Sequence, residues 1–384
     1  MCGIAGFLSI NKQLHKEHLK TMTDSIAHRG PDAEGFYFDD KEKFNIGLGH
    51  RRLSILDLST TANQPMKSHC GRYIMVFNGE VFNYQELAKN HLPNTIWNTH
   101  SDSEVILECF AKYGIKCIDW FNGMFAIAWY DTQDEKLILV RDRLGIKPIV
   151  YYKDENNIAF ASELKALLKL PFDKKINTTS LQDYFLLEYI PGTQTIYNNY
   201  SKLAAGHYAV ITKSNIEIKE YWSVIDKLNI KTEIKTEDEY LEELDYRFKK
   251  SVQYRMISDV PIGAFLSGGT DSSLVCAAFQ QISNQPINTF TIGFDVPSFD
   301  ETQYAKDVAN QLKTNHKTYK ISENEALPLW ELSNNFYDEP FAVTSIIPSL
   351  LVCQKAKQNV TVALAGDGGD ELFFGYGYYE WYNK

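Results

Sequence analysis

Residues 265–273 read Phe265-Leu266-Ser267-Gly268-Gly269-Thr270-Asp271-Ser272-Ser273. They join an apolar run at 260–266, which has strand character, to a helically spaced run at 271–283. The paired glycines let backbone N–H groups turn inward, and the following helix N-terminus adds positive potential. Hydroxyls of Ser267, Ser272 and Ser273 add donors. Such a turn suits an anion like pyrophosphate. It is not a G-x-x-x-x-G-K-S/T loop, because the lysine is missing.

Outward from this turn, strand and helix alternate. Helix 238–257 precedes it, and strand 287–293, helix 301–312 and strand 316–320 follow. Helices 323–336 and 345–357 and strand 359–365 complete the run. This alternation predicts a parallel, doubly wound sheet. The last strand leads into Ala365-Gly366-Asp367-Gly368-Gly369-Asp370-Glu371, on the side where open parallel sheets bind ligands. Asp271 and Asp370 are hard oxygen donors, suited to Mg²⁺ together with phosphate oxygens. The chain then ends in an aromatic tail, which wants a partner; a continuation past residue 384 is the simplest cover.

The first half has another rhythm. Short strands are expected at 3–10, 34–38, 46–51, 73–78, 123–130, 136–141, 149–152 and 158–161, joined mostly by tight polar turns. Helical spacing runs from Leu14 to Ile26. Two more helices are expected to open in capping boxes, Asn83 with Glu86 and Ser101 with Glu104, the second closed by Gly114. Antiparallel strands in two sheets with helices outside predict a layered α/β sandwich. The domains expected are 2–222 and 238–384, with the polar stretch 223–237 as linker.

Composition narrows the function. The 384 residues are 44% hydrophobic and 23% charged, an ordinary globular balance. A net charge of −10 argues against a phosphate-gripping nucleic-acid binder. No apolar run approaches a membrane span; Met124 to Tyr130 reads as a buried strand. Six cysteines without a C-x-x-C pair, and no signal peptide, point to reduced thiols in the cytoplasm. Cys109, Cys117, Cys276 and Cys353 read as packed thiols, and His15 with His18 as a solvated pair.

Cys2 becomes the first residue if Met1 is removed. It then carries a thiol and an α-amine on one carbon, so one residue supplies nucleophile and base. Asn78-Gly79-Glu80 is expected at a turn after strand 73–77, where a carboxamide and an unhindered N–H can form an oxyanion hole. Taken alone, Asn-Gly is also a hairpin turn. Arg52 is a fork suited to a carboxylate, or a surface ion pair. Asp102 can hold an ammonium, or simply favour its helix N-terminus. Lys147-Pro148 reads as shaping a domain edge.

These residues meet a family. Met1-Cys2-Gly3-Ile4-Ala5-Gly6-Phe7, His28-Arg29-Gly30-Pro31-Asp32 and Arg52-Leu53-Ser54-Ile55-Leu56-Asp57 resemble class II glutamine amidotransferases. So do Phe77-Asn78-Gly79-Glu80, Ser101-Asp102-Ser103-Glu104 and Arg141-Asp142-Arg143-Leu144-Gly145-Ile146-Lys147-Pro148. The resemblance implies an N-terminal nucleophile fold that hydrolyses glutamine. Cys2 would attack the amide, Asn78 and Gly79 would hold the oxyanion, and Arg52 and Asp102 would grip the α-carboxylate and α-ammonium. Glu80, Leu53 and Ile55 would line the pocket. The 265–273 turn resembles the S-G-G-x-D-S loop of enzymes that cleave ATP to AMP and pyrophosphate.

Both halves together resemble the glutamine-dependent asparagine synthetase family. This implies ATP and Mg²⁺, an aspartate acceptor, and ammonia carried through an internal tunnel. Leu266 and Ile292 would touch adenine, and Ala365 and Gly366 would line the nucleotide. Asp367 would stand near the acyl-adenylate, and Tyr376 matches a family tyrosine. Ala365 replaces the more usual serine, and Asp367 is shorter than the glutamate of one branch. The family extends well past this point and supplies a catalytic lysine there. A sugar acid is the alternative acceptor, and a homodimer is compatible with the resemblance. A binding-only paralogue would have lost Cys2, Asn78, Gly79, Asp271 or Asp370, and all are present.

Overall fold

The computed structural model describes residues 1–213, 215–228, 234–294 and 300–382. Contacts divide them into two compact units. Unit 1 comprises Met1–Thr232 with Tyr337–Ala342, and unit 2 comprises Glu233–Phe336 with Val343–Lys384.

Unit 1 carries twelve strands: β1 Gly3–Ser9, β2 Ala33–Asp40, β3 Asn45–Arg52, β4 Met66–Lys67, β5 Tyr73–Val81 and β6 Gly123–Asp131, then β7 Lys136–Arg141, β8 Val150–Lys153, β9 Asn157–Ala161, β10 Tyr200–Lys202, β11 His207–Ile211 and β12 Ile216–Glu220. Its helices are α1 Lys16–Ser25, α2 Tyr84–His91, α3 Asp102–Tyr113, α4 Leu164–Leu167, α5 Thr178–Leu187 and α6 Val224–Leu228. Two six-stranded sheets form, ordered β10-β8-β9-β1-β3-β2 and β12-β11-β7-β6-β5-β4. Every described strand pair in them is antiparallel.

Alternation explains the layers. On β1, Ile4 and Leu8 enter a core shared with Val76, Ala128 and Leu139 of the other sheet. Ala5 and Phe7 face the opposite way, against Leu19 and Met22 of α1 and Leu164 of α4. With both faces covered, β1 has no polar side and reads as a continuous apolar run. On the second sheet, Trp129 of β6 stacks on Phe110 of α3, ring centres 4.1 Å apart. Such a stack adds about 1 kcal/mol beyond buried area.

Several expectations change. Asn78-Gly79-Glu80 lies inside β5, where Gly79 pairs with Phe125, rather than at a turn. Cross-strand pairing to β6 wins over local Asn-Gly turn preference. Neither expected capping box forms. Asn83 receives the Asn122 N–H and donates to the Trp120 carbonyl, and Glu104 accepts from Thr99 and Asn98. His18 is no purely solvated side chain: its Nδ1 accepts the His15 N–H at 3.1 Å. Cys353 is exposed, not packed, whereas Cys109, Cys117 and Cys276 are buried. The polar stretch 223–237 contains α6 and the first residue of the next helix; residues 229–233 lie outside the described residues.

Unit 2 adds α7 Glu237–Arg255, β13 Ile262–Phe265, α8 Thr270–Ile282, β14 Asn288–Phe294, α9 Thr302–Leu312 and β15 Asn315–Ile321. There follow α10 Glu323–Ser333, α11 Ile346–Ala356, β16 Val362–Leu364, α12 Gly369–Phe373 and α13 Tyr378–Tyr382. Its sheet is parallel, in the order β15-β14-β13-β16. The chain steps one way from β13 to β15, then returns to place β16 on the other flank of β13. That reversal opens a crevice at the carboxyl ends of β13 and β16, where such sheets bind ligands.

Candidate functional site

In unit 1, β1 delivers Cys2 beside the end of β3. The Leu53 N–H donates to the thiol sulfur at 3.4 Å, and the sulfur lies 3.6 Å from the Leu53 carbonyl. The Arg29 Nε–H donates to the Cys2 carbonyl at 2.9 Å, and Arg29 pairs with Glu163 at 2.7 Å. Burial pushes the Cys2 thiol up, against the opposing pull of the Leu53 hydrogen bond. The thiol is therefore protonated at neutral pH and needs a base. Burial also lowers the Met1 ammonium, to about 6, with Arg29 and Lys147 helping and Cys2 and Glu80 opposing.

Asn78 is fully buried, and neither its carboxamide oxygen nor its nitrogen has a hydrogen-bond partner. Leaving such a group unpaired costs about 1–3 kcal/mol, so it points to a missing ligand. Gly79 cannot be replaced by a larger residue: a Cβ there would sit 2.1 Å from the Met124 carbonyl oxygen. Asp102, at the first turn of α3, is 4% exposed and accepts the Val81 N–H at 2.9 Å. Among the described residues no cation pairs with it. Burial first, then Glu80, raises its carboxyl to about 7.

Arg52 is buried and donates to carbonyls of Ser59, Leu56 and Asp57 and to the Asn63 side chain. It thus organises the 53–63 loop that carries Leu53 and Ile55, a role the sequence did not suggest. Two other residues escaped sequence reasoning. His50 is buried, with Nε2 donating to the Phe77 carbonyl and Nδ1 unpaired. Lys147 is 5% exposed, and its ammonium contacts the Met1 sulfur at 3.1 Å. No sequence signal marks His50, and Lys147, though within the Arg141–Pro148 motif, read only as shaping a domain edge.

In unit 2, the 265–273 turn leaves β13 and enters α8 as expected. The Ser267 and Ser272 hydroxyls lie 2.9 Å apart, and the Gly269 N–H donates to Ser267 Oγ at 3.3 Å. Ser273 Oγ is buried without a partner. Gly268 has φ +89°, and a Cβ on it would lie 2.7 Å from the Ala305 nitrogen. The second turn packs directly on the first: a Cβ on Gly366 would be 2.9 Å from the Ser272 nitrogen, and one on Gly369 2.2 Å from Asp271 Oδ2. Asp370, the other carboxylate, lies in the first turn of α12. Asp367 is exposed, and Tyr376 donates to Glu371 at 2.9 Å. The Leu266 and Ile292 side chains pack into core clusters. Among the described residues no three acidic, histidine or cysteine side chains group as a metal site.

Comparison with known proteins agrees with this division. The glutamine amidotransferase domain family matches residues 1–222, and the asparagine synthase family matches residues 243–384. A protein of Methanocaldococcus jannaschii with the provisional name asparagine synthetase (glutamine-hydrolysing) 2 is 39% identical, over 98% of this chain and 76% of its own length. Asparagine synthetase (glutamine-hydrolysing) 1 of Bacillus subtilis is 34% identical, over 99% of this chain and 59% of its own length. This chain therefore spans about three-fifths to three-quarters of these relatives. Among solved structures, glutamine phosphoribosylpyrophosphate amidotransferase from B. subtilis overlaps at TM-score 0.43 and 15% identity, over 83% of this chain and 65% of its own. That overlap is loose, and the fold stands on the strand order given above.

Proposed function

The chain belongs to the glutamine-hydrolysing asparagine synthetase family, and from that premise we propose that it converts aspartate to asparagine with glutamine and ATP as co-substrates. With Met1 removed, the Cys2 α-amine takes the thiol proton and the sulfur attacks the glutamine amide carbon. The oxyanion is held by the Asn78 amide and the Gly79 N–H. Collapse breaks the C–N bond and releases ammonia; water then cleaves the thioester to glutamate. Asp102 offers a carboxylate to the glutamine ammonium. Arg52 either turns from its loop carbonyls toward the α-carboxylate or holds the loop that does so.

In unit 2, the aspartate side-chain carboxylate attacks the ATP α-phosphorus and pyrophosphate leaves toward the Ser267–Ser273 turn. Ammonia then displaces AMP. Asp367 stands beside this chemistry, and Ala365 and Gly366 line the nucleotide. Asp271 and Asp370 fit Mg²⁺, for both are hard donors and glycines keep the space beside Asp271 open. Bound there, the ion would offset phosphate charge. The same reading puts the enzyme in the cytoplasm and takes a homodimer as its assembly. All six cysteines are free, and no described helix is long and apolar enough to cross a membrane.

The observation that carries the glutaminase reading is the buried, unpartnered Asn78 carboxamide. Mass spectrometry on a mixture of protein, glutamine, ATP, Mg²⁺ and aspartate tests the whole. We expect glutamate, AMP, pyrophosphate and asparagine, and expect Cys2→Ala to make asparagine only when ammonia replaces glutamine. Glutamate without AMP would mean that aspartate is the wrong acceptor or that the second half is inactive, and a screen of other carboxylates separates the two.

A further inference from the structure

Lys147 is buried, and among the described residues no carboxylate or carbonyl oxygen hydrogen-bonds its ammonium. Among the described residues its side chain hydrogen-bonds the Met1 thioether alone, at 3.1 Å, a weak acceptor. A buried lysine without a direct ion pair is costly to hold. Here burial lowers its ammonium, with Glu80 opposing.

The backbone around it is fixed in place. Asp142 is 1% exposed and accepts the N–H groups of Phe125, Leu144, Ile146 and Lys147. The Arg141 Nε–H donates to the Lys147 carbonyl at 3.0 Å. Asp142 thus ties the 144–147 turn to β6 and leaves Lys147 reaching toward the N-terminus. Removing Met1 takes away the thioether that the ammonium contacts and leaves the Cys2 α-amine as the new chain end.

We propose that Lys147 is a positioning residue of the glutaminase site, whose ammonium keeps the Cys2 α-amine in its uncharged, proton-accepting form. The inference rests on the glutaminase reading and deepens it. A cation beside an amine disfavours a second positive charge, and an N–H donor favours the free lone pair. The other charges around the N-terminus divide. At the amine, Arg29, paired with Glu163, acts in the same direction, and the Cys2 thiol and Glu80 on β5 act against it. At the Cys2 thiol, Arg52 from the end of β3 and Asp102 on α3 oppose one another. Without Lys147 the amine faces one cation fewer and holds its proton to higher pH.

The test uses the full chain with Met1 removal verified by intact mass, as wild type, Lys147→Met and Lys147→Arg. Two profiles are read against pH: glutaminase kcat/KM, and the rate of Cys2 alkylation by iodoacetamide. We expect both ascending limbs to move up by about one pH unit in Lys147→Met, with activity recovering at high pH, and to return in Lys147→Arg. Uniform loss at every pH, or unmoved profiles with the thermal midpoint kept, would overturn the proposal. If wild type releases no glutamate, the glutaminase reading fails. The alkylation profile still decides on Lys147: a shift supports its action on Cys2, and no shift rejects it.

Discussion

Asp102 works against the fold that holds it. Its carboxyl titrates near 7 rather than in the ordinary acid range, because burial first and Glu80 second oppose its charge. Between about pH 4 and about pH 7 the folded chain keeps a proton that the unfolded chain has released. Stability therefore falls as pH rises through that window. The proposed binding of glutamine needs the opposite form, in which the carboxylate would hold the glutamine ammonium. We expect the glutamine KM to fall as pH rises toward 7 and to level off above. Asp102→Asn should flatten that dependence, raise KM and raise the denaturation midpoint at pH 8. Glutaminase kinetics and urea melts at several pH values check both halves. Cys2 and Asp102 could be singled out from sequence because the motifs around them resemble a family; taken alone, each had an ordinary structural reading. Lys147 lies in the quoted Arg141–Pro148 motif and read only as shaping a domain edge, because its contact with the N-terminus arises from the fold.

At the scale of elements, glycine decides two junctions for different reasons. Gly79 is needed because β6 runs against it, while Gly268 is needed because its φ of +89° and the nearby α9 leave no room for a Cβ. Gly268→Ala should cost about 1–3 kcal/mol of unit 2 stability and abolish ATP binding by calorimetry, with glutaminase kcat unchanged. Normal ATP affinity in that variant would separate the turn from nucleotide binding. Strands with two covered faces, such as β1 and β6, were legible as apolar runs. The strands β10, β11 and β12 and the helix α5 were not. They are short, and β12 and α5 are mostly exposed, so hydrophobic periodicity barely marks them. The Ser101 capping box failed because Glu104 bonds to Thr99, Asn98 and His69, and the Asn83 box because the Asn83 side chain bonds to Asn122 and Trp120.

Across the whole molecule, the antiparallel first half and the parallel second half followed from turn length and strand–helix alternation. The grouping of residues 337–342 with unit 1 did not. Asp338 accepts the Lys165 N–H at 2.8 Å, and Glu339 accepts the Ile196 N–H at 2.8 Å and pairs with Lys202 at 2.9 Å. These bonds join residues more than a hundred positions apart, beyond the reach of any sequence window. A fragment ending at residue 232 loses acceptors for two backbone N–H groups, each costing about 1–3 kcal/mol if left unpaired. We expect it to melt below the first transition of the full chain, and Asp338→Asn with Glu339→Gln in the full chain to lower that same transition. Equal midpoints by calorimetry would show that water replaces these bonds without loss.

That short segment also bears on ancestry. A glutaminase and a synthetase fused end to end would each keep a self-contained fold, and a gene broken at the linker would yield two working proteins. Here the reading frame passes back through the first fold after the second has been begun, at residues 337–342. Chimaeras between relatives that exchange only what precedes the linker will inherit mismatched partners for Lys165 and Lys202. Those that carry residues 337–342 along with the first half will not.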